Sequence, residues 1–179
     1  MNALRSISLR AGALLLLAVA LSACGFQLRG SSGQYQMPFN SIYLGFADTS
    51  PLGIELRRNL RAGTSTRIVT RREDAEAILT PIGEARTKTI LSLSSNGRVR
   101  EFRLRYNFSF RITDPRNRDI IAPVTLLIER DFPFNDSAVL AKEAEEALLY
   151  RDMQSDMVQQ TLRRLAAAQR LPPAGRDEN

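Results

Sequence analysis

The chain has 179 residues, with 25 lysines and arginines, 19 acidic residues, one cysteine and no histidine. A net charge of +6 favours anionic partners, and the length suits one folded domain after removal of a leader. The lack of histidine argues against Ser-His-Asp catalysis, Cys-His catalysis and the usual zinc sites, and a single cysteine excludes an intramolecular disulfide. With no glycine-rich phosphate loop or metal-ligand spacing either, we expect a protein that is not an enzyme.

The N-terminal 24 residues are arranged like a bacterial export signal. Arg5 and Arg10 precede an apolar run over residues 11–21, which is shorter than the roughly 20 residues that a membrane-spanning helix needs. The run leads to Leu-Ser-Ala-Cys, which resembles the lipobox of bacterial lipoproteins. A small buried core thiol is the alternative, but it leaves the charged and apolar segments unexplained. We predict a signal peptide over residues 1–23 and attachment of diacylglycerol and an N-acyl chain to Cys24, with no other cofactor.

The segments after the signal have different compositions. Residues 24–38 are rich in Ser, Gly and Gln and predict a lipidated tether, residues 39–171 predict a single folded domain, and residues 172–179 predict a disordered tail. Several acyl chains would hold the protein firmly on a bilayer. Gly25 stands where inner-membrane retention usually shows aspartate, so we expect the periplasmic face of the outer membrane. That compartment excludes nucleic acid as the partner and favours anionic lipid or saccharide phosphate.

The first predicted elements are a strand and a short helix. Ile42, Leu44 and Phe46 alternate with less apolar residues, which is the period of a strand. Ser50 is suited to cap a helix that starts at Pro51, and Gly63 is predicted to end it in a left-handed conformation. This helix would place three leucines on one face and three arginines towards its C-terminal end: Leu52, Leu56 and Leu60, and Arg57, Arg58 and Arg61.

The middle of the chain predicts antiparallel strands. Residues 67–70 and 77–82 are short strand candidates, separated by a charged segment. Residues 87–94 lead into Asn96-Gly97, which we predict to be the central pair of a type I′ hairpin turn. The following strand has the strongest pattern, because the even positions from Phe102 to Ile112 are all apolar and the odd positions are polar.

The last part predicts a further strand and a long helix. A turn at residues 114–117 precedes a strand in which Pro123 indicates an edge or a bulge. A helix is predicted from Asn135 or Asp136 to about Arg170, with an apolar stripe over the sheet: Leu140, Ala144, Leu148, Val158, Leu162 and Leu165. The fold class is therefore α+β, with a mixed, largely antiparallel sheet of four to five strands and two helices packed on one face.

Arginines dominate the predicted second face of the sheet. Arg103, Arg105 and Arg111 project from one side of a strand, and Arg98 and Arg100 lie near the hairpin turn. An ordinary solvated face and an open polycationic surface both fit this pattern. The acidic group Glu143, Glu145 and Glu146 is interpreted as a solvated helix face rather than a catalytic carboxylate cluster.

Several motifs together resemble the LptE family of lipopolysaccharide-assembly lipoproteins. After the lipobox, residues 24–29 read Cys-Gly-Phe-Gln-Leu-Arg, similar to the mature N-terminus of that family. The similarity continues through Pro51-Leu52, Arg57-Arg58-Asn59-Leu60, Asn96-Gly97 and Leu140-Ala141-Lys142-Glu143. The resemblance extends along nearly the whole mature chain.

The resemblance implies a function without catalysis. A member of this family is anchored in the outer membrane, plugs the lumen of the β-barrel LptD and helps lipopolysaccharide reach the outer leaflet. Family contacts to the glycolipid phosphates are a basic residue before the Asn-Gly turn and a lysine opening the last helix. Lys142 matches the second, whereas Ser95 occupies the first position and Arg98, across the turn, is the substitute. The candidate lipopolysaccharide-binding residues are Lys142, Arg98, Arg100, Arg103 and Arg105.

Two other functions fit part of the sequence pattern. A scaffold subunit of another envelope machine, such as a barrel-assembly complex, would bind protein and no glycolipid. An envelope hydrolase would need a converging pair of carboxylates, whereas the acidic residues fall mostly on predicted helix faces.

Overall fold

A computed structural model describes residues 35–168 of the chain. The predicted signal peptide, Cys24, most of the tether and the tail after residue 168 lie outside these residues. The strands are β1 (Ser41–Leu44), β2 (Arg67–Val69), β3 (Ala77–Leu93), β4 (Val99–Thr113) and β5 (Asp119–Pro133). The α-helices are α1 (Pro51–Gly63) and α2 (Val139–Ala166), and short 3₁₀ turns lie at Arg72–Asp74 and Asp136–Ala138.

The strands form one mixed sheet in the order β2-β1-β3-β4-β5. β1 pairs in parallel with β2 and β3, and the longer β3, β4 and β5 pair antiparallel with one another. Helix α1 connects the short parallel strands β1 and β2, and the antiparallel strands β3, β4 and β5 are much longer than these two. The predicted α+β class and mixed, largely antiparallel sheet are confirmed, and its five strands lie within the predicted four to five.

The core lies between the sheet and the helices. The even positions of β4 from Leu104 to Ile112 are completely buried, as their alternation predicts. Ile42 and Leu44 of β1 join them, together with the leucines of α1 at positions 52, 56 and 60. Phe46 lies just after β1 and stacks on Phe108, with 5.7 Å between ring centroids. These residues form one cluster that includes side chains from both helices.

Helix α1 begins as predicted but ends differently. The Ser50 hydroxyl accepts a hydrogen bond from the Gly53 backbone N–H at 3.1 Å, and Pro51 occupies the first helical position. Gly63 is the last helical residue and has no positive φ, so the predicted left-handed stop is wrong. The chain instead leaves the helix in extended conformation at Thr64, whose N–H and hydroxyl both donate to the Leu60 carbonyl. Those bonds occupy a carbonyl that would otherwise lack a partner.

The two strand candidates at 77–82 and 87–94 are one strand. β3 is continuous over Ala77–Leu93, with a register shift between Pro81 and Gly83. Residues 83–86 show no apolar alternation because both faces of β3 are exposed there. Backbone pairing with β4 keeps residues 83–86 in the strand. This pairing could not be predicted from the pattern of apolar residues.

Both hairpin turns use one residue with positive φ. In the β3–β4 turn, Gly97 has φ of 74° and donates its N–H to the Ser94 carbonyl at 3.0 Å. Asn96 has no positive φ, so the predicted type I′ turn is wrong, although the hairpin is confirmed. A type I turn closed by a left-handed residue fits this three-residue loop. Asn117, with φ of 62°, has the same role in the β4–β5 turn.

Only part of the predicted stripe of α2 covers the sheet. Val158, Leu162 and Leu165 are buried, but Leu140 is 82% exposed and Leu148 is 54% exposed. Ala144 is exposed as well. Successive helical residues point about 100° apart, and the covering side of the helix passes through Leu149, Tyr150, Met153 and Met157 instead. In the N-terminal half of α2, the stripe predicted from the four-residue spacing is therefore on the face next to the one that packs on the sheet. β5 is an edge strand, as Pro123 predicted.

Candidate functional site at the hairpin end of the sheet

The tip of the β3–β4 hairpin lies beside the start of α2. The Phe134 N–H donates to the Arg100 carbonyl at 2.8 Å, which ties the end of β5 to the beginning of β4. Arg98 Nη1 lies 3.7 Å from Asp136 Oδ2 in the 3₁₀ turn before α2. We call residues 86–103 and 130–148 the hairpin end. The structure thus brings Arg98 close to the 3₁₀ turn that leads into α2, although the two are far apart in sequence.

Three phenylalanines form the apolar centre of the hairpin end. Phe102 stacks on Phe132 with ring centroids 5.9 Å apart and meets Phe134 edge-on at 5.1 Å. Aromatic pairs favour both arrangements because the ring edge is positive and the face negative. Phe132 belongs to the buried core, and Phe102 and Phe134 are partly buried against it, so this cluster extends the core to the hairpin end.

Two lysines lie over these rings. Lys142 Nζ is 5.8 Å from the centroid of Phe132, and Lys88 Nζ is 4.2 Å from that of Phe102. Lys142 also pairs with Glu145 at 2.7 Å, and Lys88 pairs with Glu146 at 2.5 Å. Only 19% of the Lys142 side chain is exposed. An incoming phosphate would therefore have to replace Glu145, whose carboxylate is the more exposed partner of this pair.

Lys88 is the cation that the sequence did not single out. It lies on β3 opposite Leu104 of β4, so its place beside the aromatic cluster depends on the register of the hairpin. Its only signal in the sequence is that it is a cation in a predicted strand. The acidic group of α2 also differs from the expected solvated face, because Glu145 and Glu146 are the partners of these lysines.

Arg103 and Arg105 lie on the other face of the sheet, since neighbouring strand residues point to opposite sides. Arg103 makes two hydrogen bonds to Asp131, of 2.7 and 2.8 Å, and Arg105 pairs with Glu129 at 2.6 Å. The hydrogen bond with Arg103 lowers the pKa of Asp131, and the same bond raises the pKa of Arg103. The side chain of Arg111 donates to Asn117. Of the two interpretations of this face, the open polycationic surface is wrong for these three arginines, because each of them has a polar or acidic partner.

The predicted site residues thus form two groups. Lys142, Arg98 and Arg100 lie around the hairpin tip and the start of α2, whereas Arg103 and Arg105 lie on the face of the sheet opposite the helices. Among the described residues, Arg98 forms only the 3.7 Å ion pair with Asp136, and its side chain is 75% exposed. Arg100 is exposed and has no ion pair within residues 35–168. These two arginines are the accessible cations of the hairpin end.

Other kinds of site find no support in the described part of the chain. No group of three or more His, Cys, Asp or Glu residues within residues 35–168 is arranged to hold a metal ion. Over the same range, no helix has both the length and the apolar character needed to cross a membrane.

The family comparison decides the relationship. The family model described as "LptE: Lipopolysaccharide-assembly" matches residues 39–165, which include every strand and nearly all of α2. The chain belongs to the LptE family. This confirms the resemblance in the sequence motifs.

Named relatives of this LptE-family chain agree with that assignment. An LPS-assembly lipoprotein LptE from Yersinia enterocolitica is 33% identical over 155 residues, covering 85% of this chain and 73% of the relative. One from Photorhabdus laumondii is 30% identical over 156 residues, covering 85% and 82%.

Solved structures show the same fold. An uncharacterised lipoprotein B from Nitrosomonas europaea is 40% identical with a TM-score of 0.69, covering 80% of this chain and 91% of that one. Rare lipoprotein B from Shewanella oneidensis is 27% identical with a TM-score of 0.64, covering 72% and 95%.

Proposed function

We propose that this LptE-family chain is an outer-membrane lipoprotein that plugs the LptD β-barrel and contacts lipopolysaccharide during its delivery to the outer leaflet. It acts without catalysis. Lys142 and Arg98 carry the glycolipid contact, with Arg100 beside them. The juxtaposition of the hairpin tip and the start of α2 is the observation that carries this proposal, because it places cations from distant segments at one end of the molecule.

The chemistry of the hairpin end suits a phosphorylated glycolipid. Lysine and arginine bind phosphate through charge-assisted hydrogen bonds, and arginine can do so with two parallel bonds. The aromatic cluster lies against both lysines, with the Lys88 ammonium 4.2 Å from the Phe102 ring centroid and the Lys142 ammonium 5.8 Å from that of Phe132. Lys88 joins the proposed contact on this geometry.

The opposite face suits a polar barrel interior. The wide barrels of the outer membrane have polar lumens, so a plug needs a polar surface without an excess of one charge. The matched pairs Arg103–Asp131 and Arg105–Glu129 satisfy that need. In this proposal they serve barrel association, and the role first predicted for Arg103 and Arg105 in glycolipid binding is secondary.

The glycolipid contact is tested by reversing two charges. The double variant Lys142→Asp/Arg98→Asp should bind purified lipopolysaccharide at least tenfold more weakly than the unchanged protein at low salt, because two attractive charges become repulsive. The difference should shrink as salt rises, since exposed charges are screened over about 8 Å at physiological ionic strength. The measurement is a binding titration at two salt concentrations.

A matched control reverses two other exposed arginines, Arg72 and Arg116, which make no ion pair among the described residues. Arg72→Asp/Arg116→Asp has the same net charge as the test variant and should bind nearly as well as the unchanged protein. If both variants bound lipopolysaccharide equally weakly, net charge alone would explain the loss, and the proposed site would be rejected.

Anchoring and partnership are tested in cells. Cys24→Ala should prevent incorporation of labelled palmitate, and continued labelling would reject the proposed lipid anchor. Affinity purification should recover one large barrel protein. Recovery of a multi-subunit assembly without glycolipid binding would favour the scaffold function instead.

A further inference from the structure

The C-terminal parts of both helices carry arginines and no acidic residue. α1 contains Arg57, Arg58 and Arg61, and α2 contains Arg163 and Arg164, while residues 56–63 and 157–166 lack Asp and Glu. Within residues 35–168, none of these arginines forms an ion pair. Arginines elsewhere, such as those at positions 71, 103 and 130, do. We call this arginine group the helix-end surface.

The two helix ends lie side by side. Glu55 of α1 accepts hydrogen bonds of 2.7 Å from Gln154 and Ser155 of α2, and one turn further along Gln159 donates to Asn59 at 3.3 Å. The residue numbers of the partners increase together along both helices, so α1 and α2 run in the same direction. Each C-terminus contributes about half a negative charge through the helix dipole, so the helices together offset about one of the arginine charges.

The helix-end surface is accessible and partly apolar. Arg58, Arg61, Arg163 and Arg164 are exposed. Ile54 is 49% exposed and lies in an open groove lined by Arg57, Arg58 and Arg61. An apolar side chain surrounded by cations matches the boundary between lipid headgroups and acyl chains.

The last part of the predicted tether contacts the domain close to the helix-end surface. The Tyr35 hydroxyl donates to Gln159 Oε1 at 3.0 Å, on the helix pair close to its arginine-bearing end. Cys24 lies 11 residues before Tyr35. Such a segment spans at most about 40 Å when extended, and about 18 Å on average as a flexible coil. A lipid on Cys24 would therefore keep the helix-end surface close to the bilayer.

We propose that the helix-end surface docks on anionic phospholipid of the membrane that holds Cys24. This inference rests on the proposed lipid anchor and adds an orientation to it: the helix ends face the bilayer. Phospholipid is favoured over a protein partner because the tether delivers this surface to the membrane, and because arginine pairs well with phosphate. A basic residue near an anionic surface adds a measurable attraction, and several act together.

The test is vesicle binding by the mature chain, residues 24–179, carrying Cys24→Ala so that no acyl chain contributes. It should sediment with vesicles of phosphatidylcholine mixed with phosphatidylglycerol and not with phosphatidylcholine alone. Arg57→Gln/Arg58→Gln/Arg61→Gln should weaken this binding by roughly tenfold or more. Replacing the same residues with lysine should restore most of it, because the charge is retained.

The matched control removes the same net charge elsewhere, through Arg72→Gln/Arg116→Gln/Arg151→Gln, three exposed arginines outside both proposed sites, and should retain most of the binding. Thermal unfolding curves should show that both triple variants are folded. Equal losses in the two variants, or equal binding to both kinds of vesicle, would overturn the proposal. So would a triple variant at positions 57, 58 and 61 that keeps vesicle binding but loses the barrel partner, because the surface would then belong to the barrel.

The two proposals fail separately. The vesicle assay uses an unlipidated chain and arginines outside the hairpin end, so its failure leaves the lipopolysaccharide titration unaffected. A failure of that titration leaves the vesicle result equally unaffected.

Discussion

The two ends of the long sheet are built from the same alternating pattern but are packed differently. At the core end, Phe108 and Phe110 of β4 are completely buried, in the core cluster that α1 and the C-terminal half of α2 share with the sheet, and Phe46 stacks on Phe108. At the hairpin end, Phe102 is only partly buried and Ile90 is 57% exposed, because α1 and β1 do not reach that far. An apolar pattern thus marks a face that can be buried, and the neighbouring layer decides whether it is. The hairpin end keeps accessible cations as a result.

The largest expected effect comes from placing a charge at the core end. Phe108→Asp should unfold the domain, because an unpaired buried carboxylate costs several kcal/mol and a domain's whole stability is about 5–15 kcal/mol. Asn107→Asp, on the adjacent position facing the other side, should remain folded. Circular dichroism and thermal unfolding check both. Equal melting temperatures would mean that the burial described for β4 is wrong.

Shortening one leucine in each half of α2 tests the comparison within a single helix. Leu162→Ala should lower the free energy of unfolding by about 2–5 kcal/mol, since Leu162 is buried in the core. Leu148→Ala should change it by no more than about 0.5 kcal/mol, because more than half of that side chain is exposed. Urea unfolding measures both, and similar losses would show that the N-terminal half of α2 is packed as tightly as the rest.

A substitution in the hairpin turn should have a smaller effect. Gly97→Ala forces a side chain into a φ of 74° and should cost about 1–2 kcal/mol. Gly83→Ala is the control, because a Cβ there meets nothing within 4 Å and its φ is not positive. Urea unfolding of the two variants should separate them, and an unchanged Gly97→Ala variant would contradict the turn geometry.

The smallest effect concerns the Arg103–Asp131 pair and its pH dependence. Because the folded-state pKa of Asp131 is lowered, the pair stabilises the fold above the unfolded carboxyl pKa of about 3.9, and this is lost as pH falls through the lower folded value. The melting temperature of Arg103→Gln should therefore lie slightly below that of the unchanged protein at pH 7, and the gap should close below about pH 4. The exposed Arg116→Gln control should show no such closing gap. A gap for Arg103→Gln that stays constant with pH would rule out the ion pair as its cause.

Local signals predicted individual elements well. The Ser50 cap, Pro51 start and leucine face of α1 act within a few residues, and the alternation of β4 directly reports a face that is buried. The errors occurred where distant parts of the chain intervene. β3 continues through residues 83–86 because β4 pairs with it, and Asn96 avoids positive φ because the loop has three residues rather than two.

The candidate site was only partly predictable for the same reason. Lys142 was predicted from the family resemblance and Arg98 as the substitute for the family's basic residue before the turn, but Lys88 joins them only through the hairpin register. Arg103 and Arg105 were expected to be free cations. Cross-strand pairing with β5 instead places Asp131 and Glu129 opposite them, and that pairing depends on where β5 turns back.

The sequence by itself determined the family, the fold class and which faces of β4 and α1 are apolar, because these depend on local motifs, composition and short periods. Tertiary structure decided which charges are compensated. Ion pairs form between side chains that register and helix packing bring together, such as Arg103 with Asp131 and Lys88 with Glu146. The arginines at the parallel ends of α1 and α2 stay without such partners among the described residues, since neither last turn carries a carboxylate and no acidic side chain from another element reaches them.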